Sequence, residues 1–212
     1  YALGDAIAGV WGAFSITAAL AERVTRPDSP GREIDLSATE SLIRLMETIP
    51  AEYEELGIAR SRAGARATYT APSNIYQAND GIWLTIVASS DTIFKRLCTA
   101  MGTLNVATDT RFATMELRVT NLDAVDAIVK EWCASHPYSH ITDKLSENHV
   151  PHNRINSIVE VMNEPHFQSR NTIIQMPDTD LDYISAPGVV PRYSGSNPLV
   201  PRTGPALGEH NQ

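Results

Sequence analysis

Asp5 stands in the run Tyr1-Ala2-Leu3-Gly4-Asp5-Ala6-Ile7-Ala8-Gly9, where an apolar stretch opens with a glycine on either side of the carboxylate. A carboxylate acts as a nucleophile when it is ionised, close to its electrophile and not quenched by a tight ion pair. A helix start supplies unpaired backbone N–H groups and the positive end of the macrodipole, both of which favour the charged form. Gly4 and Gly9 lack side chains and would let a bulky ligand approach the backbone. The same Asp5 also suits a plain N-cap. The pentapeptide by itself leaves nucleophile and cap both open.

Other chemistry-bearing residues are weaker candidates. His136, His140, His149 and His152 lie in Ser-His-Pro and Asn-His-Val-Pro-His settings that read as loops and a helix end, so no metal site is expected. Cys98 and Cys133 sit in apolar segments and are read as reduced core thiols. Arg62 and Arg66 have the chemistry to meet phosphates, but surface arginines in a linker explain them as well. A net charge of −8 argues against nucleic acid or an anionic membrane as partner.

These residues need elements to hold them. With 42% hydrophobic residues among 212, the chain can build a core. Residues 6–24 read as a first helix, buried against a neighbour through its small residues. The apolar run from Ala6 to Leu20 is too short for a membrane span and lacks a basic leader. Pro27 and Pro30 end the helix. Glu33-Ile34-Asp35-Leu36-Ser37 alternates like a strand. Ser37 or Thr39 caps a helix running to Leu56, and 57–72 is an irregular linker. Asn74–Ala78 and Ile82–Ala88 form a hairpin across Asn79-Asp80-Gly81. Helices are expected at 91–101, 117–134 and 140–148, the last capped by Ser139, then a strand near Ile155 and a short helix at 158–162. Trp11, Trp83 and Trp132 are read as core. Pro187, Pro191, Pro198, Pro201 and Pro205 exclude a long helix in the tail.

The order of these segments resembles the class III acyl-CoA transferase family, of the carnitine CoA-transferase and bile-acid-inducible type. Carrying the resemblance are Gly4-Asp5, Pro30-Gly31-Arg32-Glu33-Ile34-Asp35-Leu36-Ser37, Arg62-Ala63-Gly64 and Ala71-Pro72-Ser73-Asn74-Ile75-Tyr76. Asp80-Gly81, Phe94-Lys95-Arg96-Leu97-Cys98, Asp109-Thr110-Arg111-Phe112 with Arg118 and Asn121, and Val150-Pro151 come next in order. Asn163-Glu164-Pro165-His166-Phe167, Arg170-Asn171 and Pro205-Ala206-Leu207-Gly208-Glu209-His210 complete the series. Each motif is short; their shared order over nearly the whole chain is the signal.

The resemblance implies an α/β fold: a Rossmann-like large domain, incomplete here, plus a smaller α+β domain, in an interlocked homodimer. Residues 1–60 would end the N-terminal portion of the large domain, 61–72 link, 73–165 form the small domain, and 166–212 return to the large domain. The chain enters at the motif without an initiator Met and reads as a piece of a longer protein. The implied activity moves CoA between an acyl-CoA thioester and a carboxylic acid through a covalent intermediate on Asp5. Coenzyme A is then substrate rather than resident cofactor, and the residues that contact it are expected mostly in the N-terminal half. Tyr69, Ser73 and Asn74 are the candidate acyl-pocket residues. A cytoplasmic location, with no nucleic acid and no membrane as partner, is expected.

Two departures shape the alternatives. The glycine quartet of some family members is absent from Arg62–Thr70, which argues against a glycine lid and the formyl-CoA/oxalate specificity that accompanies it. An α-methylacyl-CoA racemase of the same fold would need a Glu where this sequence has Ser90, beside Asp91. A serine cannot act as that acid–base group, so transfer is preferred to racemisation. A non-catalytic fragment or partner subunit is the third reading.

Overall fold

The computed structural model describes residues 2–195 and 202–211; Pro198 and Pro201 lie outside the described residues. The chain divides into two compact units, Tyr1–Arg62 and Ala63–Gln212.

In the first unit, α1 (Leu3–Thr25) leads to α2 (Ala38–Ile43), a 3₁₀ turn (Arg44–Met46) and α3 (Ile49–Leu56). Two glycines set how closely α1 approaches α2 and the extended stretch before it. A Cβ at Gly4 would lie 3.4 Å from Leu42 Cδ1, and one at Gly12 would lie 3.3 Å from Leu36 Cδ2. Ser37 caps α2 by accepting a hydrogen bond from the Glu40 amide at 3.4 Å, as its position predicts. The expected continuous helix to Leu56 is interrupted: Glu47 takes φ 48°, and Pro50 sits in the first turn of α3, where its missing N–H costs nothing.

Two expectations for this unit are corrected. Helix α1 fully buries none of its residues within the chain, Trp11 included, and Val10, Phe14, Ile16, Leu20 and Val24 are exposed. It is also 23 residues long with a mean hydropathy of 1.4, long and apolar enough to cross a membrane, so the length argument against a span fails. Residues 33–37 are extended but belong to no sheet among the described residues. Alternation supplies strand propensity only; a strand also needs a hydrogen-bonding neighbour.

The second unit is built on a three-stranded antiparallel sheet in the order β1 (Ser73–Gln77), β2 (Trp83–Val87), β3 (His152–Arg154). Tyr76 faces Leu84 and Gln77 faces Trp83 in the first pairing. The predicted turn closes it, with Gly81 at φ 84°, a region open to glycine at little cost. Asp80 also accepts a hydrogen bond from the Tyr138 amide at 2.9 Å, tying the turn to a helix start far along the chain.

The helices after β2 are α4 (Asp91–Ala100), α5 (Leu104–Ala107), α6 (Met115–Thr120), α7 (Leu122–Ser135) and α8 (Tyr138–Glu147). Beyond β3 come α9 (Ile158–Asn163), α10 (Pro165–Ser169) and a hairpin of β4 (Ile173–Asp178) and β5 (Asp182–Pro187). One core joins the sheet to the helices through Tyr76, Leu84, Ile86, Phe94, Leu97 and Val129, with further apolar side chains around them.

Here too the side-chain period and the caps decide details that composition hides. Leu84 and Ile86 point inward, while Trp83 on the alternate face is 48% exposed rather than core. Trp132 is buried as expected. The helix predicted over 117–134 breaks at Asn121, whose side-chain amide donates to the carbonyls of Arg111 at 3.2 Å and Leu117 at 2.9 Å. Ser139 does not cap α8; Pro137 precedes its first residue.

Cys98 and Cys133 are buried free thiols. Burial pushes Cys98 up to about 11 and Cys133 up to about 12, from an ordinary value of 9.0. The folded state therefore holds protons that the unfolded state releases, so this part of the stability is present below about pH 9 and is lost as pH rises towards the folded values. Mass spectrometry after iodoacetamide treatment at pH 8 is expected to find both thiols unmodified in the native protein and both alkylated in urea. Denaturant midpoints should fall progressively from pH 9 to pH 11. Rapid native alkylation would contradict the burial.

Candidate active site

Asp5 lies in the first turn of α1, and Ala2 rather than Asp5 takes the N-cap position. The first backbone bond of the helix runs from the Ala6 amide to the Ala2 carbonyl at 3.1 Å. The amides of residues 3–5 thus belong to the set that a helix start leaves without intrahelical acceptors. The Asp5 side chain is exposed, and among the described residues it enters no ion pair. Gly9 is four residues on, hence on the same helix face, and a Cβ there would meet open space. Gly4 has another task, making room for Leu42. Of the two glycines, it is Gly9 that leaves the surface beside Asp5 open.

The other candidates belong to the second unit and separate into two groups. Tyr69 stands 69% exposed on an irregular stretch that leads into β1. Ser73 and Asn74 begin β1, where the Ser73 backbone carbonyl and the Asn74 side chain are already engaged. The Ser73 carbonyl accepts from the Ala67 amide at 3.0 Å. The Asn74 amide nitrogen donates to Asp126 at 3.0 Å, and its oxygen accepts from the Ile75 amide at 2.8 Å.

Asn74 is part of a polar knot between β1 and α7. Tyr76 Oη donates to Asp126 Oδ1 at 2.7 Å, and burial, with the Asp126 carboxylate beside it, holds the phenol far above its usual range. Arg66 Nη1 donates to Asp123 at 2.6 Å and lies 3.7 Å from Asp126; the hydrogen bond to Asp123 raises its pKa further. Arg66, a phosphate candidate by residue type, is thereby occupied by carboxylates. A cleft of about 620 Å³ opens beside this knot, with Arg66, Asn74, Tyr76, Trp83 and Lys130 on its walls; Tyr69 and Ser73 do not line it.

The residues weighed for acid–base chemistry after β2 have structural duties. Ser90 caps α4 by accepting from the Ile93 amide at 3.2 Å. Asp91, beside it, receives Arg118 Nη2 at 2.8 Å. Arg118 is the residue that sequence reasoning undervalued: its side chain is fully buried and donates to the Ala71 and Phe112 carbonyls at 2.8 and 3.1 Å. The one available signal was its place in the Asp109-Thr110-Arg111-Phe112 … Arg118 … Asn121 series. Of the histidines, His136 and His140 stack at 4.6 Å, and His152 Nδ1 lies 2.8 Å from the Val150 carbonyl.

Comparison with known proteins identifies the family to which the chain belongs. Residues 1–211 match CoA-transferase family III. The chain is 38% identical over 210 residues to succinyl-CoA–D-citramalate CoA-transferase of Chloroflexus aurantiacus, covering 99% of this chain and 52% of that protein. It is 30% identical over 206 residues to the succinyl-CoA–L-malate CoA-transferase alpha subunit of the same organism, covering 97% and 48%. The crystal structure of a CAIB/BAIF family protein from Brucella suis superposes with a TM-score of 0.78 at 25% identity, covering 100% of this chain and 54% of that one. The chain thus spans about half the length of the curated relatives it matches.

The Tyr76–Asp126 bond is testable by itself. Replacing Tyr76 with Phe removes the donor and leaves a buried carboxylate oxygen short of a partner. Urea unfolding is expected to show a loss of about 1–3 kcal/mol; an unchanged midpoint would mean that water takes over the bond.

Proposed function

This chain belongs to CoA-transferase family III, and on that premise we propose that its protein transfers CoA from succinyl-CoA to a short hydroxy-dicarboxylic acid, with Asp5 as nucleophile. The observation that carries the reading is the 38% identity across 99% of the chain to an enzyme named for succinyl-CoA and D-citramalate. The alpha-subunit relative, named for succinyl-CoA and L-malate, points to the same donor and the same class of acceptor.

Transfer proceeds as two exchanges at one carboxylate. An Asp5 oxygen attacks the thioester carbonyl, the C–S bond breaks, and an aspartyl–succinyl anhydride and CoA thiolate form. The thiolate attacks the aspartyl carbonyl, giving an aspartyl-CoA thioester and releasing succinate. The acceptor carboxylate then attacks that thioester and expels the thiolate, which takes the acceptor acyl group and returns Asp5 to its carboxylate. Each step trades one activated acyl bond for another, which is how a covalent intermediate divides a difficult exchange. The helix-start amides next to Asp5 are suited to the oxyanions that form on the way.

Tyr69 is proposed to touch the acyl-CoA, on the strength of its exposure. Residues 1–60 would close a large Rossmann-like domain, 73–165 would form the small one, and 166–212 would return, with two subunits interlocked and the protein cytoplasmic. The exposed apolar side chains of α1 support a protein neighbour for that helix, supplied by the rest of the polypeptide or the second subunit.

The full-length protein, incubated in D₂O with succinyl-CoA and a panel of free acids, is expected to yield new CoA esters by mass spectrometry. Asp5→Ala should lower their formation at least about a thousandfold. Deuterium gained at the α-carbon without a new ester would replace transfer with racemisation, and an Asp5→Ala enzyme at full rate would remove Asp5 from the mechanism.

A further inference from the structure

An exposed aromatic side chain on an irregular segment is normally free to wander, since fixing each backbone residue costs roughly 1–2 kcal/mol. The segment carrying Tyr69, residues 66–73, is fastened instead at several points. Arg66 holds one end to α7 through Asp123 at 2.6 Å. The Ala67 amide closes the segment on itself at the Ser73 carbonyl, 3.0 Å away. Thr70 Oγ1 donates to Met115 Sδ at 3.5 Å, and the Ala88 amide donates to the Pro72 carbonyl at 2.8 Å. At the centre, the Ala71 carbonyl receives Arg118 Nε at 2.8 Å. Thr70, Ala71 and Pro72 are buried, while Tyr69, adjacent to them, remains outside.

Arg118 supplies the central one of these fastenings, and it is itself held from several sides. Nη1 is fixed by the Phe112 carbonyl at 3.1 Å and Nη2 by Asp91 at 2.8 Å. The guanidinium lies over the Phe94 ring at 4.5 Å from its centroid. A planar fork with directed N–H groups can serve these three acceptors together; a lysine ammonium cannot reproduce the geometry.

We infer that Arg118 is a positioning residue for Tyr69, holding the 66–73 segment so that the phenol is presented to acyl-CoA in one place. The inference rests on the proposal that Tyr69 touches the substrate. Arg118 itself, fully enclosed, acts only through the Ala71 carbonyl. Pre-setting a contact in this way reduces the ordering cost at binding, so the effect belongs in substrate affinity more than in the chemical step at Asp5.

The test is a double-mutant cycle on the full-length enzyme with succinyl-CoA as varied substrate, using Tyr69→Ala, Arg118→Lys and both together. Each single variant is expected to raise KM about tenfold with kcat within about twofold, and the double variant to be no worse than either single one. A multiplicative rise in the double variant, an unchanged KM in Tyr69→Ala, or an Arg118→Lys enzyme with lowered Tm but normal KM would overturn the inference. Should Arg118→Lys fail to fold, Asp91→Asn loosens the same guanidinium from its other side and should raise KM about threefold; normal KM there overturns it equally. The Asp5→Ala assay keeps the two readings apart, because a failed cycle with an inactive Asp5 variant refutes only the positioning role.

Discussion

A buried positive charge is the constraint from which the second unit is built. The Arg118 side chain has no exposed surface, and removing a cation from water costs several kcal/mol unless directed partners replace the solvent. Three do so here: the Ala71 and Phe112 carbonyls and the Asp91 carboxylate. They come from the segment leading into β1, the loop before α6 and the start of α4. Satisfying one guanidinium therefore fixes three stretches of chain that neither sheet register nor helix propensity would bring together. Asp91 is 51% exposed, so the pair has one wet side and avoids the full penalty of a sealed ion pair.

The Asp126 knot does comparable work on the other side of β1. Tyr76 and Asn74 face α7 from alternate positions of one strand face and both donate to the same carboxylate, so β1 can slide neither way without stranding a buried acceptor. This adds to the hydrophobic register set by Leu84 and Ile86. Ion pairs at the surface have a different weight. Glu22–Arg32 and Asp109–Arg111 each leave the arginine 61% exposed, and solvent-screened pairs of that kind contribute little to stability. They trim loops; the two buried networks choose the fold.

This division between local and long-range interactions decides how much the sequence reveals. The β1–β2 hairpin was legible because Asp80-Gly81 between β-formers is local chemistry, complete within a few residues. The Ser37 cap and the buried thiols were legible for the same reason. Features that need a distant partner were not. Trp83 reads as core by residue type, yet strand alternation turns it outward. Residues 33–37 read as a strand, yet no strand lies beside them among the described residues. Asn121 reads as helix interior until its amide is seen to close on Arg111. For the candidate site, Asp5 was visible from its glycine neighbours and its place in an ordered set of motifs, whereas Arg118 had its place in that set and no sign of its burial. Nothing in a lone arginine's sequence context distinguishes zero exposure from full exposure.

The treatment of carboxylates along the chain bears on the choice of nucleophile. Glu22, Glu52, Asp109, Glu160 and Glu209 are each held below the usual carboxylate range by hydrogen bonds, four of them chiefly from an arginine and Glu160 chiefly from Ser157. That arrangement lowers the basicity of the oxygen and fixes its lone pairs, which suits a structural anion and handicaps a nucleophile. Among the described residues Asp5 enters no ion pair. The helix-start amides beside it are without intrahelical acceptors, and no arginine fork occupies its oxygens. Gly9 on the same face leaves room for a bulky electrophile, and Gly4 makes room for Leu42. An uncovered carboxylate unclaimed by arginine is the arrangement that thioester attack requires.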